Sequence, residues 1–320
     1  YLSEEQLAST SWDGSVRVHE TTAEKTSCLL SLSMESGPLL SLAATSKDFV
    51  VTGGLDGSIR KLDIPTTTST LLGRHAGTPD KLACSCLGVL GGSNNVVVSA
   101  GWNSKLHLWD ARVTDSDPMT TVSLPGKAFD MDLDSERNRV VLATSGRRTC
   151  IVDIRTATSQ QQQQEASLVL DRESSLKFQT RCVRFFPNGQ GIAMGSIEGR
   201  VAVEYLEEVG MPAKKKYAFK CHRVQDTVYP VNAIAFHPTF GTFATGGCDG
   251  TVITWDPTNK KKLTTLPTFA TSISALTFSP SGRELAIASS YTFEEGERDH
   301  PRDEIFVRPM LDSECQPKAK

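Results

Sequence analysis

Short apolar segments alternate with turns along the whole chain, and almost no stretch shows the 3.6-residue apolar period of a helix. In one segment Val201 and Val203 alternate with Ala202 and Glu204, as expected of a strand with one buried face. Strands of this kind come in pairs joined by tight turns, and a glycine can take the positive φ of such a turn without a Cβ penalty. The turn glycines are Gly14, Gly57, Gly199 and Gly250. The pattern predicts β-hairpins throughout.

The hairpins recur at roughly 43 to 51 residues, a spacing within reach of a four-stranded propeller blade. Six of them occupy residues 11–20, 53–64, 101–112, 145–155, 196–206 and 246–257. Further strands ending in a Pro-plus-Gly breaker precede several hairpins, so each repeat supplies about four strands. A seventh repeat runs from 273 to 310 around an acidic insertion at 293–304. We therefore predict an all-β, seven-bladed propeller and not a doubly wound α/β enzyme.

The two ends of the repeat array are expected to be incomplete. Repeat seven has no outer strand, and repeat one begins at its second strand, near Leu7. Propellers often close by pairing an N-terminal strand into the last blade, so we expect that about 25 residues or more with the closing strands are missing from this chain. The predicted domains are one propeller over 1–310 and a polar tail over 311–320. The run Gln160–Gln164 is predicted to be a solvated insertion.

Composition narrows the function classes. The 320 residues are 38% hydrophobic and 22% charged with a formal net charge of −3, which argues against a protein that coats nucleic acid through bulk positive charge. We expect no membrane span, because no apolar run reaches about 18 residues. The eight cysteines form no CxxC pair, so neither a metal site nor a disulfide framework is expected, and no cofactor is predicted.

Motifs for catalysis are missing from the sequence. It has no GxSxG elbow, no glycine-rich phosphate loop opening a helix and no HExxH. The six histidines are dispersed over different repeats. We therefore predict that the protein is not an enzyme.

The dipeptides Trp109-Asp110 and Trp255-Asp256, with an aspartate in several preceding turns, resemble the WD40 repeat. Four residues look like the buried hydrogen-bond network of that family: His222, Thr245, Asp249 and Trp255. The resemblance gives His222 and Asp249 a structural role and not that of an acid and base. Repeat three has Asn103 where an aspartate is expected, and repeat four ends in Val152-Asp153, so we expect these two repeats to be less tightly held.

The central part of the chain resembles a narrower family, the mitotic checkpoint WD40 proteins of the Bub family. The resemblance rests on residues 172–187, 196–206, 214–223, 229–257 and 284–291. The sister family of nuclear-pore mRNA-export WD40 factors shares the GRVA hairpin at 199–202 and the FKCHR segment at 219–223. The sequence resembles this sister family less well at EYL (204–206) and at RESSLK (172–177).

Three cations are expected at one face of the propeller. Arg200 follows the turn of repeat five, Arg181 opens its first strand, and Lys220 ends its fourth strand. Trp12 and Trp102 occupy turns that open on the same face. Cations beside exposed tryptophans suit an acidic, partly apolar peptide, because an arginine fork binds carboxylate or phosphate in a bidentate way.

The family resemblance implies two peptide sites. A GLEBS motif of the checkpoint kinase and of its kinase-like relative would bind Arg181, with Trp12 and Trp102 as packing partners. Phosphothreonine in Met-Glu-Leu-Thr repeats of the kinetochore scaffold would bind Arg200 and Lys220. Two further basic groups are candidates for added positive potential or for plain solvent exposure: Arg147 with Arg148, and Lys214 to Lys216.

The resemblance thus implies a non-catalytic adaptor of the spindle assembly checkpoint that recruits these kinases to unattached kinetochores. Its implied partners also include the complex that inhibits the anaphase-promoting complex, with no direct nucleic acid and no membrane. Its implied location is the nucleus, kinetochores in mitosis and partly the cytoplasm. Two alternatives stay open: an mRNA-export adaptor that binds a nucleoporin GLEBS motif, and a phosphodegron receptor of a ubiquitin ligase.

Overall fold

A computed structural model describes residues 1–22, 25–44, 46–90, 96–155, 166–206 and 215–318. The described residues form two compact units, Tyr1–Glu173 and Ser174–Lys320. Nearly all regular structure is β-strand, as the alternating pattern predicts. The predicted insertion Gln160–Gln164 lies outside the described residues.

The first unit contains four antiparallel sheets, which we call blades one to four. Blade one consists of β1 (Gln6–Thr10), β2 (Ser15–Thr22) and β3 (Lys25–Ser33). Blade two consists of β4 (Leu39–Ala44), β5 (Phe49–Gly54), β6 (Ser58–Asp63) and β7 (Thr68–Arg74). Blade three consists of β8 (Cys84–Leu90), β9 (Val96–Gly101), β10 (Lys105–Asp110) and β11 (Thr120–Ser123). Blade four consists of β12 (Ala128–Asp134), β13 (Arg139–Thr144), β14 (Arg148–Asp153) and β15 (Ser167–Glu173).

The second unit contains blades five to seven and a short two-stranded ribbon. Blade five consists of β16 (Thr180–Phe185), β17 (Gly191–Ser196), β18 (Arg200–Tyr205) and β19 (Tyr217–Lys220), and the ribbon of β20 (Arg223–Val224) and β21 (Thr227–Val228). Blade six consists of β22 (Val231–Phe236), β23 (Phe243–Gly247), β24 (Val252–Asp256) and β25 (Lys261–Thr265). Blade seven consists of β26 (Ile273–Phe278), β27 (Glu284–Ser289) and β28 (Glu304–Pro309), and α1 (Asp312–Cys315) follows it. Two single 3₁₀ turns lie at Pro79–Lys81 and Ser145–Arg147.

Each blade is a simple meander in which consecutive strands pair side by side. The seven sheets are the blades of a seven-bladed β-propeller, so the predicted fold class is confirmed. Blades one and seven each have three strands among the described residues. Among those residues, no helix has the length and apolar character needed to cross a membrane.

Positive-φ residues close the turns between the second and third strands. Gly14, Gly57, Gly199 and Gly250 have φ of +79°, +80°, +60° and +71°, as the hairpin interpretation predicts. At the corresponding turns of blades three and four, Ser104 and Arg147 hold φ of +59° and +60°. Left-handed backbone costs a residue with a Cβ about 1–2 kcal/mol, so these two turns keep their shape at some cost in stability.

Apolar faces of neighbouring blades pack into a core within each unit. Trp109 is buried in the first unit and packs so closely on β7 that a Cβ added at Gly73 would lie 2.1 Å from its ring. In the second unit Phe243 is buried among the apolar residues of blades five and six. Side-chain bonds also join successive first strands, since Ser85 Oγ donates to the Ala128 carbonyl at 2.8 Å and Asn232 Nδ2 to the Ile273 carbonyl at 2.9 Å.

A β-bulge recurs at the second residue of the first strand in blades two to seven. The residues at these positions are Leu40, Ser85, Phe129, Arg181, Asn232 and Ser274. A bulge gives the strand one residue more than its partner and re-aims that side chain. The bulge therefore places side chains of different chemistry at the same end of blades two to seven.

The predicted polar tail packs onto blade six. Thr242 Oγ1 and Thr254 Oγ1 donate to the carbonyls of Cys315 and Glu314 at 2.6 and 2.7 Å. The Cys315 side chain is buried, and Arg308 of β28 forms an ion pair with Glu314 at 2.7 Å. Hydroxyl donors on blade six thus satisfy tail carbonyls that the polar sequence suggested were solvated.

Candidate functional site

The cations predicted in blade five lie at one end of its sheet. The strand register places Thr180 opposite Ser196, Ser196 opposite Arg200, and Arg200 opposite Lys220. Arg181 is the bulge residue next to Thr180, so it belongs to the same end of the sheet. With strands about 5 Å apart, this row extends over roughly 15 Å. We call Arg181, Arg200 and Lys220 the blade-five cation row.

Arg200 and Lys220 face each other directly across β18 and β19. The Arg200 side chain is about a third exposed, at 34%, and Lys220 is exposed. Like charges in directly opposite positions destabilise a pair of strands. The sheet itself gains nothing from this arrangement, which therefore favours a role in binding an anion.

Glu198 is the carboxylate beside the row. Its Oε2 lies 3.4 Å from Arg200 Nε, and its side chain is only 14% exposed. Its Oε1 has no hydrogen-bond partner among the described residues. This contact engages the Nε edge of the guanidinium.

Arg223 is a further cation at this turn that the sequence analysis missed. Its Nη2 donates to the Glu198 carbonyl at 2.8 Å, and its Nε lies 3.5 Å from the Gly199 carbonyl. Gly199 itself is enclosed, because an added Cβ would lie 2.7 Å from the Cys221 carbonyl and 3.0 Å from that of Tyr229. The turn is thus packed tightly against the segment that carries Arg223. The basic end of the FKCHR segment was the signal that could have identified this residue.

The residues predicted for a GLEBS peptide are divided between the two units. Arg181 is half-buried in the second unit, and it is the one charged residue among the six described bulge positions. Trp12 and Trp102 occupy turns of the first unit, as predicted. The Trp12 side chain is 68% exposed. The Lys127 ammonium lies 5.6 Å from the Trp102 ring centroid. The grouping of Arg181 with the two tryptophans stays a prediction.

The other basic residues fall into two classes. Arg147 and Arg148 form ion pairs with Glu173 and Asp171 on β15, the second at 2.8 Å. Their charges are therefore largely compensated within blade four. Lys215 and Lys216 are exposed, and Lys214 lies outside the described residues.

The buried network predicted in blade six is confirmed. His222 Nδ1 lies 2.9 Å from Asp249 Oδ1, and its Nε2 lies 2.8 Å from Thr245 Oγ1. Trp255 Nε1 donates to the same threonine oxygen at 2.9 Å. Burial alone would raise the pKa of Asp249, but its hydrogen bonds to His222 and Thr251 outweigh that effect and lower it. These groups fasten a turn to a strand, which agrees with the structural role given to them.

Blade three contains a corresponding network with Asn103 in the aspartate position, and its expected looser hold stays a prediction. His75 Nδ1 lies 3.1 Å from Asn103 Oδ1, and its Nε2 lies 2.8 Å from Ser99 Oγ, which also accepts from Trp109 Nε1 at 2.8 Å. The asparagine oxygen accepts in the position of the aspartate oxygen, without the charge that strengthens the bond in blade six. Burial lowers the pKa of His75 to about 4, so this ring is neutral at physiological pH.

The cysteines behave as buried hydrophobes. None of the eight takes part in a disulfide, and only Cys28 is exposed. Burial raises the pKa of Cys84 to about 12, which keeps it a thiol. No group of three potential metal ligands occurs in the part of the chain that the structure describes.

Comparisons with known proteins agree with the propeller fold. The family model for the WD domain, G-beta repeat, matches residues 213–256. The chain is 39% identical over 309 residues to "Mitotic checkpoint protein bub3" of Dictyostelium discoideum, covering 95% of this chain and 88% of that protein. It is 40% identical over 323 residues to "Mitotic checkpoint protein BUB3.1" of Arabidopsis thaliana, covering 99% and 89%.

A second kind of relative is less similar. The chain is 33% identical over 325 residues to the "Poly(A)+ RNA export protein" of Schizosaccharomyces pombe, covering 99% of this chain and 87% of that protein. WD40 propellers of these families are generally non-catalytic. The identity to the two checkpoint proteins is higher over a similar length, as the EYL and RESSLK segments suggested. The chain belongs to the Bub3 family of mitotic spindle checkpoint WD40 proteins.

Proposed function

We propose that the protein is a non-catalytic adaptor that recruits checkpoint kinases to unattached kinetochores. It holds a GLEBS motif of the kinase, or of its kinase-like relative, and reads phosphothreonine in Met-Glu-Leu-Thr repeats of the kinetochore scaffold. This function places it in the nucleus, at kinetochores in mitosis and partly in the cytoplasm. The inhibitory complex of the anaphase-promoting complex is a further partner in this proposal.

The observation that carries the proposal is the blade-five cation row. Arg200 and Lys220 face each other in register, and the described residues offer only Glu198 as a counter-ion to either of them. A phosphothreonine brings a charge of about −1.5 to −2 and three acceptor oxygens. Each charge-assisted hydrogen bond to such a group contributes about 1.5–3 kcal/mol. A phosphate between these two side chains would replace their mutual repulsion by attraction to a shared anion.

Arg181 is assigned to the GLEBS peptide, with Trp12 and Trp102 as apolar partners. An arginine at a bulge position is directed away from the regular pairing of the sheet, which suits contact with a ligand. Exposed tryptophan is a frequent anchor of protein interfaces, and Trp12 is 68% exposed. Two peptides bound side by side would make kinase recruitment depend on scaffold phosphorylation.

The test is fluorescence anisotropy with paired Met-Glu-Leu-Thr peptides, one phosphorylated on threonine and one not, while a GLEBS peptide is bound. We expect the phosphorylated peptide to bind more tightly, and Arg200→Ala or Lys220→Ala to weaken its binding by about tenfold to a hundredfold. Arg74→Ala is the matched control, because Arg74 ends the outer strand of blade two but forms an ion pair with Asp56 at 3.0 Å. Equal binding of both peptides, with the GLEBS peptide still bound, would contradict the phosphothreonine site.

One second function has a specific observation in its favour. The 33% identity to an RNA export protein over nearly the whole chain supports a nuclear-pore mRNA-export adaptor that binds a nucleoporin GLEBS motif. That function needs no phosphothreonine. Binding of a GLEBS peptide combined with indifference to threonine phosphorylation would favour it.

A further inference from the structure

Thr78 lies in an exposed loop between blades two and three and is followed directly by Pro79. Lys81 is the third residue after it, so the loop reads Thr-Pro-Asp-Lys. A hydroxyl, a proline and a lysine in this spacing form the substrate pattern of proline-directed protein kinases. Proline has no backbone N–H and suits an apolar kinase pocket that would leave an N–H without a partner, and lysine suits an anionic kinase surface. Thr78 therefore has the sequence context of a phosphorylation site.

The loop is open to an enzyme, because residues 76–81 are all exposed. Thr78 has φ of −75° and ψ of 157°, the extended backbone that a following proline favours. One backbone hydrogen bond, from the Lys81 N–H to the Thr78 carbonyl at 2.8 Å, closes the short turn after it. The Thr78 hydroxyl donates to the exposed Asp80 carboxylate at 2.6 Å, a partner that water replaces at little cost. A kinase therefore has few contacts to break when it binds this loop in extended form.

Ser279 is the other hydroxyl residue of the chain that precedes a proline. It is only 1% exposed, and its Oγ accepts from the Glu284 N–H at 3.2 Å. The third residue after it is Gly282 and not a basic residue. Ser279 thus lacks both the access and the lysine that Thr78 has, which makes it an internal comparison.

The loop of Thr78 packs against the turn that carries Trp102. Asn103 Nδ2 donates to the Ala76 carbonyl at 3.1 Å. The Trp102 N–H donates to the Ala83 carbonyl at 3.0 Å. These bonds hold the loop and the turn together on either side of Thr78, so a charge added to the loop acts on the surroundings of Trp102.

Two lysines lie close to the same loop. The Lys127 ammonium lies 5.6 Å from the Trp102 ring centroid. A hydrogen bond from Thr78 is the main cause that lowers the pKa of Asp80. The positive charges of Lys81 and Lys127 lower that pKa further, so both ammonium groups are near enough to act on an anion in the loop. Within the described ranges, neither lysine forms an ion pair with a carboxylate.

We propose that Thr78 is the acceptor of a proline-directed kinase and that its phosphate weakens the binding of an acidic peptide at the neighbouring Trp102 turn. In the transfer, the Thr78 oxygen forms a bond to the γ-phosphorus of ATP, the bond from that phosphorus to the bridging oxygen breaks, and ADP leaves with the electron pair. The hydroxyl proton passes to the catalytic aspartate of the kinase. The product carries a charge of about −1.5 to −2 in place of a neutral hydroxyl.

The phosphate changes the Trp102 turn by electrostatics. It stands beside the Asp80 carboxylate, to which the hydroxyl donated a hydrogen bond, and the two like charges repel. Lys81 and Lys127 are attracted to the phosphate, and Lys127 then leaves the Trp102 ring. An acidic peptide on Trp102 therefore meets a negative loop. This effect rests on the proposed function, which assigns Trp102 to the GLEBS peptide, whereas the modification site does not.

Phosphorylation of the full chain tests the site. The chain is incubated with ATP, Mg²⁺ and a purified proline-directed kinase that is active on a Ser-Pro-x-Lys control peptide, and mass spectrometry locates the phosphate. We expect phosphate on Thr78 and none on Ser279. Lys81→Gln should lower kcat/KM about threefold to tenfold, because a charge-assisted contact with the kinase is lost, and the exposed Lys105→Gln control should not. No phosphate on Thr78, or a Thr78→Ala variant that takes up as much phosphate as the parent, would overturn the site.

The affinity for a GLEBS peptide tests the effect on the Trp102 turn. Fluorescence anisotropy compares the chain phosphorylated on Thr78 with the unphosphorylated chain. We expect about threefold to tenfold weaker binding after phosphorylation, and a smaller difference at high salt, because salt screens exposed charges. In Trp102→Ala the difference should fall below about twofold, since the peptide no longer contacts this turn, and the Trp12→Ala control should keep it. A difference that persists in Trp102→Ala would overturn the role of the turn.

The outcomes separate this inference from the function on which its second half rests. Phosphate on Thr78 with an unchanged affinity for the GLEBS peptide would overturn the effect on the Trp102 turn, and the proposed function would stand. Failure of the GLEBS peptide to bind either form would overturn the GLEBS site of the proposed function and the effect together. The modification site would then stand on the mass spectrometry alone.

Discussion

Blades four and five share the strand register at the end where the candidate site lies, but they carry different charges there. Three positions correspond: the bulge residue of the first strand, the first residue of the third strand and the last residue of the outer strand. In blade four these residues are Phe129, Arg148 and Glu173, and in blade five they are Arg181, Arg200 and Lys220. Blade four has one positive and one negative charge at these positions, and blade five has three positive charges.

The difference shows how one fold presents different charges at the same positions. In blade four the arginines near the turn form ion pairs with carboxylates of the outer strand, so their charges are compensated within the sheet. In blade five the outer strand supplies a lysine, and the turn carboxylate Glu198 is the counter-ion of Arg200. The scaffold is shared, and the charge at this end of a blade depends on a few side chains at fixed positions.

The largest effect is expected at the turn of blade five. Gly199→Ala should lower the free energy of unfolding by about 3 kcal/mol, because the left-handed backbone and the contact with the Cys221 carbonyl both oppose a Cβ. Gly146→Ala in blade four should cost only about 1 kcal/mol, since its φ is +74° but the nearest atom to an added Cβ lies 4.0 Å away. Urea unfolding of both variants measures the difference. Similar losses of unfolding free energy would contradict this expectation, because they would show that an added Cβ is tolerated equally well in the two turns.

A charge reversal in blade four should have a smaller effect. Glu173→Lys removes the ion pair with Arg147 and places a second cation opposite Arg148. We expect a loss of about 1 kcal/mol in unfolding free energy. Asp117→Lys, at an exposed loop residue, makes the same change of charge and should stay within about 0.5 kcal/mol of the parent. An equal loss of unfolding free energy in both variants would show that the overall charge, and not the ion pair in blade four, causes the effect.

The smallest change in unfolding free energy is expected for the reverse charge exchange in blade five. Lys220→Glu replaces a like-charged pair by an opposite pair across β18 and β19. It should raise the unfolding free energy by at most about 0.5 kcal/mol, because both side chains are partly or fully exposed. Lys216→Glu, at an exposed residue outside the strands, is the control. A destabilised Lys220→Glu variant, with an unchanged control, would show that Lys220 already has a favourable partner.

Much of the fold could be predicted because its signals are local. Alternation, turn glycines and a repeat near 45 residues predicted the hairpins, and the blade-six network was recognised because histidine, threonine, aspartate and tryptophan have their usual places. The network of blade three was not recognised because Asn103 replaces the usual aspartate. Its carbonyl oxygen makes the same contact with His75.

The rest of the site depends on contacts between distant residues. The position of Arg181 follows from a register shift between β16 and β17, which alternation alone does not reveal. Arg223 reaches the turn of blade five because the segment after β19 folds back on Gly199. The tail packs on blade six because two threonine hydroxyls donate to its backbone carbonyls. The polarity of the tail side chains does not predict such a contact.

The central claim is that Arg200 and Lys220 of the cation row, and not the propeller as such, recognise phosphothreonine. The most direct test is the ratio of the affinities for phosphorylated and unphosphorylated Met-Glu-Leu-Thr peptide, measured for the parent chain and for Lys220→Glu, which carries the outer-strand residue of blade four at this position. We predict a ratio of about 100 for the parent and a ratio near one for the variant, with similar thermal stability. A variant that keeps the ratio of the parent would contradict the claim.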